Sequence, residues 1–398
     1  MVGGGLAGLA TALRLAEAGR PVLLAEARQV GWGASGRNGG FVSPGFAEGV
    51  LALEARLGRD HARALYALSL DGVDAIRGLL RDAGREDLIG GTGWLKLVRH
   101  DDPALYRRFE VMTAHYGARY RYLDRDGVRA LLTTERYFAG LVDERCFHID
   151  PLAFSRLVAD RAEAAGAEIC EAAPVSDLER EGAGWTARIG AVRIRAKQVV
   201  LAHSGYGQIH PALDRAILPI ATYVVTTEKL GPRLGEVIRF AGCIGDTRRA
   251  SDYYRIVDGD RLLWGGRITT RVSEPADLAA RMKRDILSVY PQLGDVAISH
   301  VWSGLMGYAV HKMPLIGQWA PGLWSATAFG GHGLNTTMMG GALVASAIAG
   351  GDARWKLFSP FRPRWGGGAL GRLATQLEYW RLQLLDRVEE NRALQRSA

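Results

Sequence analysis

Apolar positions along the chain follow two rhythms, which sort it into two kinds of structure. Unbroken runs, Val22-Leu-Leu-Ala25 and Gln198-Val-Val-Leu-Ala202, read as buried parallel strands, and 167–170 and 323–329 as further strands. Alternating runs at 91–98, 185–189, 192–195, 218–227, 253–257, 261–266 and 297–303 predict strands of another sheet. Helical spacing marks 9–18, Phe46 to about Arg85, 103–112, 124–132, 151–165, 277–290 and 335 to about 349. Beyond a Pro/Gly/Trp linker at 360–368, Leu370, Leu373, Leu377, Trp380, Leu384 and Val388 stripe a C-terminal helix. Its other face carries Glu378, Asp386, Arg387 and Glu389, so docking on protein, its own chain or a second subunit, is expected over a membrane surface.

The first buried stretch carries the chemistry. Gly3, Gly5 and Gly8 form G-x-G-x-x-G, followed by a helix that stops at Gly19 and a strand that ends at Glu26. The first glycine permits a tight turn, the second a close approach by a pyrophosphate, the third close packing of helix on strand. Leu6 and Ala7 open the helix, whose amides and positive dipole end suit a diphosphate. Glu26, with Ala27 and Arg28 behind it, stands about where a carboxylate meets adenosine ribose hydroxyls. The arrangement describes a dinucleotide site, NAD or FAD. A central strand needs about five residues, yet only Met1 and Val2 precede the glycines. Either the domain folds with a stunted central strand or its start lies upstream.

Composition narrows the class. At 398 residues, 48% apolar and 23% charged, the chain is long enough for two domains. The formal charge of +8 does not signal nucleic acid, because 44 of the 50 basic residues are scattered arginines. No apolar run approaches a membrane span, and no charged-then-apolar leader precedes Gly3, so a cytoplasmic location is expected. Cys146, Cys170 and Cys243 lack disulfide or metal spacing and read as small buried hydrophobes with no metal site. His148, inside an apolar stretch, reads as structural.

Gly33-Ala-Ser-Gly-Arg-Asn-Gly-Gly40 is a second glycine-rich loop directly after the second strand. Beside the dinucleotide motif it resembles the flavin-proximal loop of the D-amino-acid-oxidase-like FAD oxidoreductases, most of all their gamma-glutamylputrescine oxidoreductase and glycine-oxidase-like branch. Phe329-Gly-Gly-His-Gly-Leu334, after the last buried strand, is similar to that family's closing segment, and 198–207 to its third. The resemblance spans nearly all of residues 1 to 350. It implies FAD, held by Ala34, Ser35, Arg37, Asn38, Gly39 and Gly40 as well as the first motif. Val175 would lie near the adenine, Ala202 near the pyrophosphate, and Gly330, Gly331, His332, Gly333 and Leu334 at the pyrimidine end. The covalent members' cysteine has no counterpart in 303–317, so the cofactor is expected to be non-covalent. The implied fold is an α/β FAD-binding Rossmann-like domain of glutathione-reductase type plus an α+β substrate domain with an antiparallel sheet. The former would take 1–45, 146–214 and 319–355, the latter 46–145 and 215–318, leaving 356–398 as linker and C-terminal helix.

The implied activity is oxidation of a carbon–nitrogen bond by hydride transfer to flavin, followed by imine hydrolysis. Amino-acid oxidases of this family hold the substrate carboxylate with an arginine in a G-L-R-P segment. Here Gly304-Leu-Met-Gly307 puts Met306 in that place, and a thioether forms no fork with a carboxylate. The expected substrate is therefore a small primary or secondary amine, with Tyr254, Trp264 and Arg267 as wall candidates. Arg255 and Arg267 remain alternative cations for an acid, which keeps an amino-acid oxidase or dehydrogenase in play. No lysine lies on 262–265 to mark oxygen activation, so oxygen and an electron carrier are both open as acceptors. Two rivals are a nicotinamide-dependent reductase and a flavin-bound subunit without turnover.

Overall fold

The computed structural model describes residues 1–248 and 251–397, except for the side chains of Leu394, Arg396 and Ser397. One sheet runs through the first two residues. Val2 bridges Ala25 on one side and Leu201 on the other, both in parallel. It thereby joins Val22–Ala25 and Ala167–Cys170 to Val199–Leu201, Leu323–Thr327 and Leu315–Ala320. The Val2 N–H donates to the Val200 carbonyl at 2.9 Å and the Gly3 N–H to the Ala25 carbonyl at 2.9 Å.

Two helices, Leu6–Glu17 and Leu334–Gly350, pack together against this sheet. Gly341 makes the approach possible, since a Cβ there would stand 2.7 Å from both the Ala10 Cβ and the Ala7 carbonyl oxygen. The helical stretch expected from Phe46 to Arg85 is two helices, Val50–Leu57 and Arg59–Asp82. They part at Gly58, whose φ of +84° lies outside helical space.

The larger sheet takes its strands from elsewhere in the chain. Its order is Ile298–Tyr308, Leu218–Thr227, Arg261–Thr269, Tyr253–Val257, Cys243–Asp246, Ile89–Val98, Ala139–Ile149 and Phe41–Val42. Neighbours are antiparallel except at Cys243–Asp246 beside Ile89–Val98, which run parallel. Cys243–Asp246 arrives from the helix Pro232–Val237 and not through a hairpin, and a parallel neighbour requires such a crossover. Residues 41–42 and 146–149, assigned from sequence to the nucleotide domain, pair within this sheet. Phe41–Val42 pairs with Ala139–Ile149, which in turn pairs with Ile89–Val98.

The sheet's outer face is closed by the helix Leu278–Val289, whose Met282 and Ile286 pack with Leu95, Tyr254 and Trp264 in one core. The C-terminal helix Gly368–Ser397 lies against its own chain with the stripe outward: Leu370, Leu373, Leu377, Trp380, Leu384 and Val388 are all exposed. Among the described residues, no helix is long and apolar enough to cross a membrane.

Candidate active site

A cavity of about 670 Å³ opens between the two sheets. The first helix presents its N-terminus to it. Gly5 caps that helix without a side-chain bond, while the Leu6 N–H donates to the Ser35 hydroxyl at 2.9 Å. Gly3, with φ +107°, turns the chain from strand to helix, and a Cβ there would press on the Ala202 carbonyl. The carboxylate of Glu26 stands beside this turn. It accepts the N–H of Gly4 at 2.6 Å and that of Arg28 at 2.8 Å.

The second glycine loop forms a short helix, Ala34–Arg37, whose end is locked by Asn38. The Asn38 amide donates to the carbonyls of Ala34 and Ser35 and accepts the Gly40 N–H. Arg37 donates to the Trp32 carbonyl at 2.8 Å and lies over its ring at 4.6 Å. At the opposite end, Gly330 to Leu334 and Thr337 bring the N-terminus of the Leu334–Gly350 helix to the cavity, again without a side-chain cap. His332 Nε2 lies 3.0 Å from the Ser43 carbonyl and 3.1 Å from that of Pro44, so it must carry the proton. Burial pushes its pKa down to about 4, and the ring is neutral at physiological pH.

Nineteen of the twenty-one residues singled out from sequence for the cofactor line this cavity. Gly8 and Gly40 do not, and each has a packing role instead. A Cβ on Gly8 would strike the Gly3 carbonyl, and one on Gly40, at φ +81°, the Ile149 carbonyl.

Of the substrate-wall candidates, Met306 lines the cavity and the other four do not. Tyr254 and Trp264 are wholly buried on the far side of the sheet, stacked 4.3 Å apart. Arg255 is spent on structure: it donates to the Gly39 carbonyl at 2.6 Å, the Ile149 carbonyl at 3.1 Å and His148 Nδ1 at 2.9 Å. Arg267, at φ +54°, is paired with Asp285 at 2.7 Å on the helix behind the sheet.

Their places are taken by Trp94, Tyr253, Tyr308, Ile268 and Phe41. Period-two alternation carries the signal for Tyr253, because a strand that buries Tyr254 must send its neighbour the other way. The same alternation, with Leu95 and Leu97 in the core, marks Trp94, while Tyr308 has no comparable mark. Tyr308 accepts the Gly331 N–H at 2.8 Å and ties the wall to the glycine turn. Burial pushes the Tyr253 hydroxyl up to about 12 and raises that of Tyr308, so both phenols stay protonated.

The cavity has the features a flavin dinucleotide requires. Two uncapped helix N-termini face it, and a carboxylate stands near the first. Three buried polar atoms on lining residues, Thr327 Oγ1, His203 Nδ1 and Trp94 Nε1, have no partner among the described residues. Residues 1–347 match the family described as DAO, FAD dependent oxidoreductase.

The chain belongs to the DAO family.

It is an FAD-dependent oxidoreductase. It is 30% identical to a probable oxidoreductase OrdL of Haemophilus influenzae, over 97% of this chain and 91% of that one. It is also 30% identical to the gamma-glutamylputrescine oxidoreductase of Escherichia coli, over 93% and 88% respectively. Glycine oxidase from Geobacillus kaustophilus shares the fold, with a TM-score of 0.78 at 20% identity, over 91% of this chain and 97% of that one. Membership in the DAO family removes the nicotinamide-dependent reductase as a reading.

Proposed function

We propose that this oxidoreductase acts on the carbon–nitrogen bond of an amine whose reacting carbon bears no carboxylate, such as a gamma-glutamylputrescine-like amine. The observation that carries the reading is the wall beside the Gly330 to Leu334 turn. Met306, Trp94, Tyr253, Tyr308 and Ile268 form it, and the arginines among the described lining residues, Arg28 and Arg37, flank Trp32 on the dinucleotide side. A carboxylate brought to such a wall would lose water without gaining an arginine fork from the described residues. The gamma-glutamylputrescine oxidoreductase among the relatives supports the same substrate class.

Bound FAD supplies the two-electron acceptor for the C–H bond beside the amine nitrogen, and the imine then hydrolyses in water. This chain's residues do the rest. Glu26 and the amides at the start of Leu6–Glu17 would hold the ribose and pyrophosphate, without a covalent bond to the protein. The Leu334–Gly350 N-terminus supplies positive potential where negative charge develops. The aromatic wall would exclude water from the reacting amine. Neutral His332 holds its Nε2 proton against Ser43 and Pro44, which removes it as a competing acid.

The test is anaerobic mixing with polyamines, gamma-glutamylated amines, N-methyl amines and D-amino acids while flavin absorbance is followed. Bleaching by an amine class supports the reading. Bleaching by D-amino acids alone overturns it, and no bleaching by any compound points to a subunit without turnover.

A further inference from the structure

The C-terminal helix is docked inside out. Its polar side faces the body: Gln376, Asp386 and Glu390 are 6%, 7% and 8% exposed. Gln376 Oε1 accepts from the Thr270 N–H at 2.9 Å and the Thr269 hydroxyl at 2.7 Å. Glu390 pairs with Arg99 at 3.3 Å and Arg136 at 3.1 Å, and Arg99 is itself held by Asp246 and Asp252. Buried bonds of this kind fix the rotation of a helix more than they stabilise it. Here they hold the apolar side toward solvent. Leu370 is 75% exposed, Leu373 55%, Leu377 52%, Trp380 47% and Leu384 61%.

We propose that this stripe is the interface with a second copy of the chain, the two C-terminal helices packed antiparallel about a two-fold axis between Leu377 and Trp380. The spacing from Leu370 to Leu384 alternates three and four residues, the seam of a two-helix coiled coil. The seam is also complementary to itself when reversed. Leu373 meets the partner's Leu384, and Leu377 meets the partner's Trp380. Such an isologous pairing closes at two copies.

Exposure points the same way. Five large side chains in the 3–4 seam, Leu370 to Leu384, are each about half exposed or more, well beyond the singly scattered apolar residues of an ordinary surface. Charge agrees as well. Arg381 and Glu378 pair at 2.7 Å beside the midpoint, and the two-fold axis sets each pair against its opposite, Arg381 near the partner's Glu378.

The experiment is sedimentation velocity on the full-length holoprotein over a wide concentration range, for wild type and for Trp380→Glu and Leu384→Glu. The wild type should be a dimer. Each variant should raise its dissociation constant on the order of thirtyfold or more, with flavin absorbance and helix content unchanged. A second measurement reads the geometry. In a Cys170→Ser background, the Leu373→Cys/Leu384→Cys protein should oxidise to a linked dimer while neither single cysteine variant does. A wild-type monomer at every concentration, or a dimer indifferent to Trp380→Glu, overturns the proposal. So do dimers linked through a single cysteine, or a monomer that co-sediments with phosphatidylglycerol vesicles.

Discussion

Arg255 donates through Nη1 to Nδ1 of His148 at 2.9 Å, and this bond fixes the protonation of both partners. With Nδ1 accepting, His148 carries its proton on Nε2 and donates to the Ala241 carbonyl at 3.0 Å. Burial first, then the charge of Arg255, pushes the histidine pKa from 6.5 down to about 4. The other two guanidinium nitrogens, Nε and Nη2, donate to the carbonyls of Gly39 and Ile149. One residue thus ties the second glycine loop to the edge of the larger sheet.

A pH dependence follows. His148, His311 and His332 all have pKa values pushed down to about 4, mainly by burial. Between 6.5 and that value the unfolded chain binds protons that the fold refuses, so stability falls as pH falls through this window. The slope is about 1.4 kcal/mol per pH unit for each histidine kept neutral. Thermal melts across the window should show this decline. His148→Gln, which retains an acceptor for Arg255 and a donor for Ala241, should flatten it by about one histidine's share. An unchanged slope in that variant would show that His148 is charged in the fold.

Glu26 should matter for the dinucleotide and not for the flavin ring. Both its oxygens accept backbone N–H groups, and glutamine would face one of those donors with its own NH₂. Losing a charge-assisted bond of about 1.5–3 kcal/mol should weaken FAD roughly ten- to a hundredfold in Glu26→Gln. Titration of the apoprotein by flavin fluorescence checks this, with FMN as the control that lacks the adenosine half. Equal losses for FAD and FMN would locate the defect in the fold.

The flavin should leave the protein on denaturation. No cysteine is among the described residues that line the cavity. Cys146 and Cys243 are buried, and burial raises both thiols far from their reactive range, while Cys170 is exposed. Acid precipitation should put the yellow colour in the supernatant, and colour in the pellet would establish a covalent link.

The glycine-rich end of the cavity was legible in the sequence because its glycines answer to backbone geometry. Gly3, at φ +107°, holds a backbone conformation that other residues rarely adopt. The aromatic wall was not legible, because there the side chain's direction decides. Tyr253 and Tyr254 are the same residue type one position apart, and a single step of register separates cavity from core. Arg267 misleads for a related reason: its left-handed backbone turns it out to Asp285, which a strand pattern does not reveal. The C-terminal stripe was found from its spacing. Its outward direction depends on partners such as Arg99 and Arg136, more than 250 residues from Glu390 by sequence.

Met306 offers the sharpest test of the proposed substrate class. It stands on Ile298–Tyr308, and its sulfur lies 3.4 Å from the point where a Cβ on Gly331 would sit. Met306→Arg would place an unpaired cation against the Gly330 to Leu334 turn, in a wall otherwise lined by Trp94, Tyr253 and Tyr308. Turnover of the native amine should drop, because a buried charge without a partner is costly and repels any protonated substrate. An alpha-carboxylated analogue should gain, since each charge-assisted bond of the new fork contributes about 1.5–3 kcal/mol. The comparison is kcat/KM for an amine and for its carboxylated analogue in both proteins. A wild-type preference for the carboxylated analogue of tenfold or more, about 1.4 kcal/mol, would mean that the wall already holds a carboxylate. Arg255 and Arg267 are bound elsewhere, so the search for the cation would then begin with Arg37, which lines the cavity beside Trp32.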